Sequence, residues 1–147
     1  MERIAVIGNA GGGKSTLARA LARRHGLPYV EIDALLWRDG WQPAPVGEYE
    51  LEHARLIGER RWIIDGLGRL ESTAARLARA SAIVCEIAHP PAGTKQMPPT
   101  GDLFRTIFEV DRDWMPEVRR LVAAAETSGT RVVRIVDAAA LDDAAML

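Results

Sequence analysis

Residues Gly8-Asn9-Ala10-Gly11-Gly12-Gly13-Lys14-Ser15 read G-x-x-x-x-G-K-S. They stand between a short apolar run, Ile4-Ala5-Val6-Ile7, and a helical pattern, Leu17, Ala18, Leu21 and Ala22. Strand, glycine loop and helix in that order are the setting of a phosphate-binding loop. Glycines let the backbone turn tightly and bring its N–H groups close to phosphate oxygens. The helix start at Lys14 and Ser15 adds unpaired N–H donors and a positive dipole end. Lys14 is a mobile cation for the β- and γ-phosphates, and the Ser15 hydroxyl is the expected Mg²⁺ ligand.

The chain has 147 residues, enough for one domain with a real core and too few for two ordinary ones. Formal net charge is −1, so there is no global basic footprint for nucleic acid. The single cysteine, Cys85, falls in an expected buried strand and cannot form an intrachain disulfide. His25, His53 and His89 lack metal-ligand spacing. No apolar run approaches a membrane span, the first strand begins almost at residue 1, and no signal peptide is expected. The expectation is a soluble cytoplasmic protein.

Strand and helix patterns alternate, which points to an α/β fold with a parallel sheet. Strands are expected at Arg3–Ile7, Pro28–Ile32, Trp62–Ile64, Ala82–Ala88 and Arg131–Val136. Helices are expected at Lys14–His25, at Glu48–Arg60 with Leu51, Ala54, Leu56 and Ile57 inward, and at Leu70–Ala80 with Ala74 and Leu77 inward. A loop rich in Trp, Gly and Pro spans Trp37 to Gly47. His89 to Gly101 carries Pro90, Pro91, Pro98 and Pro99 and reads as a loop. A helical pattern restarts at Leu103, and Pro116 either ends it or opens a second helix to Glu126. The tail from Ala138 reads as a short helix.

In open parallel sheets, ligands bind beyond the carboxyl ends of strands. Asp33 follows the second strand, and Asp65 closes the third in Trp62-Ile63-Ile64-Asp65-Gly66. Asp65 is placed as a carboxylate near Mg²⁺ would be, or as a turn aspartate. Asp33 is placed to hold and deprotonate an acceptor hydroxyl, or to cap the turn that follows. Trp37 and Trp41 form either an aromatic wall for a flat substrate or a cover over the sheet edge. Cations that could face a transferring phosphoryl group are Arg69, Arg105, Arg112 and Arg119, with Arg69 best placed, four residues after Asp65.

Together these segments resemble the adenylate-kinase-like branch of the P-loop kinases, and most of all small bacterial topology modulation (FlaR-like) proteins. The likeness lies in residues 3–8 with the loop to Ser15-Thr16-Leu17, in Glu31-Ile32-Asp33-Ala34-Leu35-Leu36-Trp37 with Gly40-Trp41, and in Trp62 to Gly66. It extends to the last strand, at Val132-Val133-Arg134-Ile135. The resemblance implies a single three-layer domain over 1–147 with a five-stranded parallel sheet in the order 2-3-1-4-5. It implies ATP held at Gly8, Gly11, Gly12, Gly13, Lys14, Ser15 and Thr16, with Mg²⁺ beside Ser15 and Asp65. Asp33 falls on the acceptor side. Asp65-Gly66-Leu67-Gly68-Arg69 is similar to the Asp-Gly-x-x-Arg of nucleotide kinases, whose arginine holds an acceptor phosphate; Gly68 stands where they usually have proline. Relatives carry an arginine-rich lid after the fourth strand. This chain has His89 to Pro99 there, within a lid region of 89–113, leaving Lys95, Arg105 or Arg112 as lid cations. The expected activity is phosphoryl transfer from ATP to a small-molecule acceptor, of the nucleotide or nucleoside kinase type. The alternatives are a non-catalytic ATP- or ADP-binding regulator and, with less support, a DNA-associated factor.

Overall fold

In the computed structural model the described residues are 2–8, 13–85 and 109–135. Gly11 and Gly12 of the loop, the expected lid from 89 to 108 and the tail helix from Ala138 lie outside them.

Five strands form one parallel sheet: β1 (Arg3–Val6), β2 (Tyr29–Glu31), β5 (Trp62–Asp65), β6 (Ala82–Cys85) and β7 (Arg131–Arg134). Their order is β2-β5-β1-β6-β7. The expected order, 2-3-1-4-5, counted five strands. The chain adds two short ones, β3 (Trp37–Arg38) and β4 (Gln42–Pro43), which pair antiparallel outside the sheet. They shift the numbering; with them left aside, the succession across the sheet is the same.

Side-chain alternation along β1 builds two apolar layers. Ile4 and Val6 point to one face, where they join Ala18, Leu21 and Ala22 of helix α1 (Lys14–His25). Ala5 and Ile7 join the other cluster, with Tyr49 and Ile57 of α3 (Val46–Gly58), Leu77 of α4 (Leu70–Arg79) and Met115, Val118 and Val122 of α5 (Met115–Thr127). The central strands β1, β5 and β6 are apolar on both faces and buried almost throughout, as a covered parallel sheet requires.

Three local expectations are corrected. The Trp37–Gly47 loop contains the β3–β4 hairpin, closed by a 3₁₀ turn at Asp39–Trp41. Helix α3 starts earlier, at Val46 behind Pro45, and buries Tyr49, His53 and Ile57, whereas Leu51 is 76% exposed. Helix α4 turns Ser72, Thr73, Arg76 and Leu77 inward, with Ala74 only half-buried. Pro116 opens α5, which follows a π-helical turn at Val110–Trp114. The described end of the expected lid, 109–113, is therefore helical.

Candidate active site

The sheet register brings three chain segments to one edge. Asp65 pairs with Val6 of β1 on one side and Glu31 of β2 on the other. The Ile32 N–H donates to the Asp65 carbonyl at 2.8 Å, and the Gly66 N–H to the Val6 carbonyl at 3.0 Å. The start of the glycine loop at Gly8, Asp33 and Asp65 thus lie side by side at the carboxyl edge of the sheet.

Helix α1 begins there. Gly13 adopts a left-handed conformation with φ 76°, and its carbonyl accepts the first helical bond, from Leu17 N–H at 3.1 Å. The first turn holds no acidic residue and has no side-chain cap. Helix N-termini leave N–H groups without intrahelical partners, so this turn suits a bound anion. Lys14, Ser15 and Thr16 occupy it, the first two half-buried and Thr16 exposed.

Around Lys14 stand Asp65, Asp33 and Glu31, whose charges favour its ammonium form; burial is the larger effect and pulls its pKa down. Asp33 is the first residue of the short helix α2 (Asp33–Leu36), inside the turn rather than at its cap. The capping alternative therefore fails. Its side chain keeps contact with solvent. The protein packed around its carboxyl pushes its pKa up, Lys14 draws it down, and Asp65 raises it again. A carboxyl with a raised pKa is a better proton acceptor than an ordinary aspartate.

Asp65 is 1% exposed. Its Oδ2 accepts from the Tyr29 hydroxyl at 3.2 Å, and its Oδ1 has no partner among the described residues. It caps no turn amide among the described residues. A buried carboxylate oxygen without a donor is costly unless a cation or ordered water completes it. Tyr29 is held in turn by Arg19, whose guanidinium lies 5.3 Å from the ring centroid and donates to Glu31 at 3.2 Å. Burial, with Asp65 and Glu31 behind it, pushes the Tyr29 phenol up to about 12 and keeps it a donor.

Beyond Asp65 the chain makes a tight turn to Arg69. Arg69 is half-buried, and its Nε has no partner among the described residues. Its backbone N–H donates to the Tyr49 hydroxyl at 3.3 Å. Three residues that sequence reasoning missed secure this turn: Tyr49, His53 and Arg76. A signal was present for the last, since Arg76 shares the inward face of α4 with Thr73 and Leu77. A cation on a buried helical face needs a partner.

His53 is 3% exposed, stacks on Tyr49 at 5.8 Å between centroids, and faces Arg76 Nη1 at 3.5 Å. Burial and then the Arg76 charge lower its pKa from 6.5 to about 4. The folded chain therefore binds His53's proton more weakly than the unfolded chain does. Stability from this source is complete above about pH 6.5 and is lost as pH falls towards 4. Denaturation at pH 7.0 and 4.5 is expected to show a loss of about 2 kcal/mol from this residue. His53→Gln should remove that part of the pH dependence. An unchanged slope in the variant would refute the assignment.

The remaining candidates are less engaged. Arg112 is exposed and pairs with its neighbour Asp113 at 2.6 Å, and Arg119 is exposed on α5. Lys95 and Arg105 lie outside the described residues. Trp37 is 44% exposed on the hairpin, so it does not serve as a buried cover for the sheet edge. Arg38 of the same strand pairs with Glu48 and ties the hairpin to α3. Among the described residues no cluster of three or more His, Cys, Asp or Glu could hold a metal by itself, so a metal here would also need Ser15 or a ligand's own oxygens.

Solved structures share this architecture. The shikimate kinase from Acinetobacter baumannii, in complex with shikimate, aligns with a TM-score of 0.63 at 16% identity, over 99% of this chain and 90% of that one. A gluconokinase from Sinorhizobium meliloti 1021 aligns at 0.56 and 21% identity, over 97% and 89%. The fold is that of these P-loop kinases. The shikimate kinase from Bacteroides thetaiotaomicron gives 0.54 at 17% identity, over 99% and 94%. No family model matches the chain, and no curated protein matches it in sequence. No helix among the described residues is long and apolar enough to cross a membrane.

Proposed function

We propose that this chain is an ATP-dependent kinase of a small hydroxylated acceptor. The observation that carries the reading is the meeting of Lys14, Asp33 and Asp65 at the carboxyl edge of the sheet, beside the uncapped start of α1. In this reading Gly8, Gly13 and the first-turn amides of α1, with Lys14, hold the phosphates of ATP. The half-buried Lys14 draws charge away from the phosphoryl oxygens as it builds up.

The residues fit Mg²⁺ on two counts: the Oδ1 of Asp65, which has no partner among the described residues, and the Ser15 hydroxyl in the first turn of α1. The metal, when bound, adds positive charge at the phosphates. Asp33 orients the acceptor hydroxyl and receives its proton. Arg69 offers its guanidinium to an anionic group on the acceptor. The neighbours named for shikimate and gluconate agree with a hydroxylated acid as one class to test. The Asp-Ala-Leu-x-Trp and Ile-Asp-Gly segments support a place near the topology modulation (FlaR-like) proteins, and an ATP-dependent role suits the cytoplasm.

The deciding experiment offers Mg-ATP with a panel of hydroxy acids, sugar acids, nucleosides and nucleotides, and follows ADP and phosphorylated product. Acceptor-dependent ADP formation is expected for one class. ATP binding with no acceptor-dependent ADP across the panel would overturn the proposal and favour a non-catalytic nucleotide-binding protein.

A further inference from the structure

Arg76 is fully buried, with 0% of its surface exposed, and among the described residues it forms no ion pair. Burying a guanidinium without a carboxylate costs free energy, so its bonds need a compensating role. Its Nη2 donates to the Gly66 carbonyl at 2.5 Å and to the Leu67 carbonyl at 3.1 Å. Its Nη1 meets the neutral His53 ring, which can accept through Nε2. Burial lowers its pKa to about 10, so it stays charged at neutral pH.

Other groups close on the same turn. Thr73 Oγ1 shares its one proton between the Leu67 carbonyl and, at 3.1 Å, the Arg69 carbonyl. Ser72 Oγ donates to the Arg69 carbonyl at 2.8 Å and lies 2.6 Å from the Tyr49 hydroxyl. The carbonyls of Gly66, Leu67 and Arg69 and the N–H of Arg69 are thus all held by side chains of α3 and α4. One end of this turn is Asp65 and the other is Arg69.

We infer that Arg76 is a positioning residue: through the Gly66 and Leu67 carbonyls it sets the distance and direction between the Asp65 carboxylate and the Arg69 guanidinium. Arg76 touches neither nucleotide nor acceptor. Its effect reaches the reaction through the turn. The inference rests on the kinase reading and adds a residue to it that no loop motif contains.

The test compares Arg76→Lys, Thr73→Val and Arg79→Met with the wild type. Lysine keeps the charge but cannot span both carbonyls and His53. Thr73→Val removes one donor to the turn with little change in shape. Arg79 lies on the same helix, but its Nε donates to the Ile57 carbonyl at 2.7 Å, away from the turn. Arg76→Lys is expected to lower kcat roughly ten- to a hundredfold and raise the acceptor KM, with the ATP Kd within about twofold of wild type. Thr73→Val should move both in the same sense by less, and Arg79→Met should leave them unchanged. Amide exchange should quicken at Gly66–Arg69 in Arg76→Lys and stay slow in β1 and β5. Wild-type turnover with an unchanged kcat and acceptor KM in Arg76→Lys overturns the inference and leaves the kinase reading standing. An absence of wild-type turnover with every acceptor removes the kinase reading, and this inference with it.

Discussion

Lys14→Ala is expected to lower acceptor-dependent ADP formation by about two to three orders of magnitude, the range seen when one aimed donor is taken from a developing charge. The chain should still fold, because Lys14 lies in neither apolar cluster. The substitution also changes the charges left behind. Asp33, Asp65 and Glu31 all favour the Lys14 cation, and Lys14 in turn draws the Asp33 pKa down. Without it Asp33 binds its proton more tightly, so the acidic limb of the residual pH–rate profile should move to higher pH. Asp65→Asn in the same background should move that limb part of the way back, since Asp65 raises the Asp33 pKa. Rates for Lys14→Ala within tenfold of wild type would sink the assigned role. An acidic limb that does not move would remove Asp33 as the proton acceptor, whatever happens to the rate.

The parts of this site that could be read before the fold was known are those set by chain-local geometry. The glycine loop, its flanking strand and helix α1 follow from a run of apolar residues, a run of glycines and a 3.6-residue period. Asp33 and Asp65 follow from the rule that parallel strands present ligands at their carboxyl ends. Strand order had to come from resemblance, because periodicity says which residues are buried and not which strands pair. The α3 face was misread because its buried residues are Tyr49, His53 and Ile57, two of them with polar tips that find partners on α4. Leu51 looked like core and is exposed. Arg76 was missed for the same reason: a charge on a helix is usually solvated, and its burial depends on carbonyls ten and nine residues back along the chain. The hairpin was missed because two-residue strands ending in Pro43 carry no alternation to read.

Gly68→Ala is expected to destabilise the chain by about 3 kcal/mol, from two costs. Gly68 has φ +71°, a left-handed conformation that costs a residue with a side chain roughly 1–2 kcal/mol. A Cβ there would also strike the Tyr49 hydroxyl and come within 2.7 Å of Ile32 Cγ2. Overpacking of that kind costs about 1–3 kcal/mol. For a chain of this size the thermal midpoint should fall by roughly 10 °C. Proline is ruled out at this place as well, because its ring fixes φ near −65°. The Tyr49 hydroxyl is lodged against the turn at Gly68. Tyr49→Phe removes the oxygen the new methyl group strikes. The double variant Gly68→Ala, Tyr49→Phe should therefore be more stable than the sum of the two single losses, by about 1 kcal/mol. Gly66→Ala is the comparison, since its Cβ would meet Ile32 Cβ at 3.3 Å and Asp33 Oδ1 at 3.9 Å, a looser fit. Denaturant titration of the four variants and the wild type decides the matter. Additivity of Gly68→Ala and Tyr49→Phe within 0.3 kcal/mol would mean that the hydroxyl does not shape this turn.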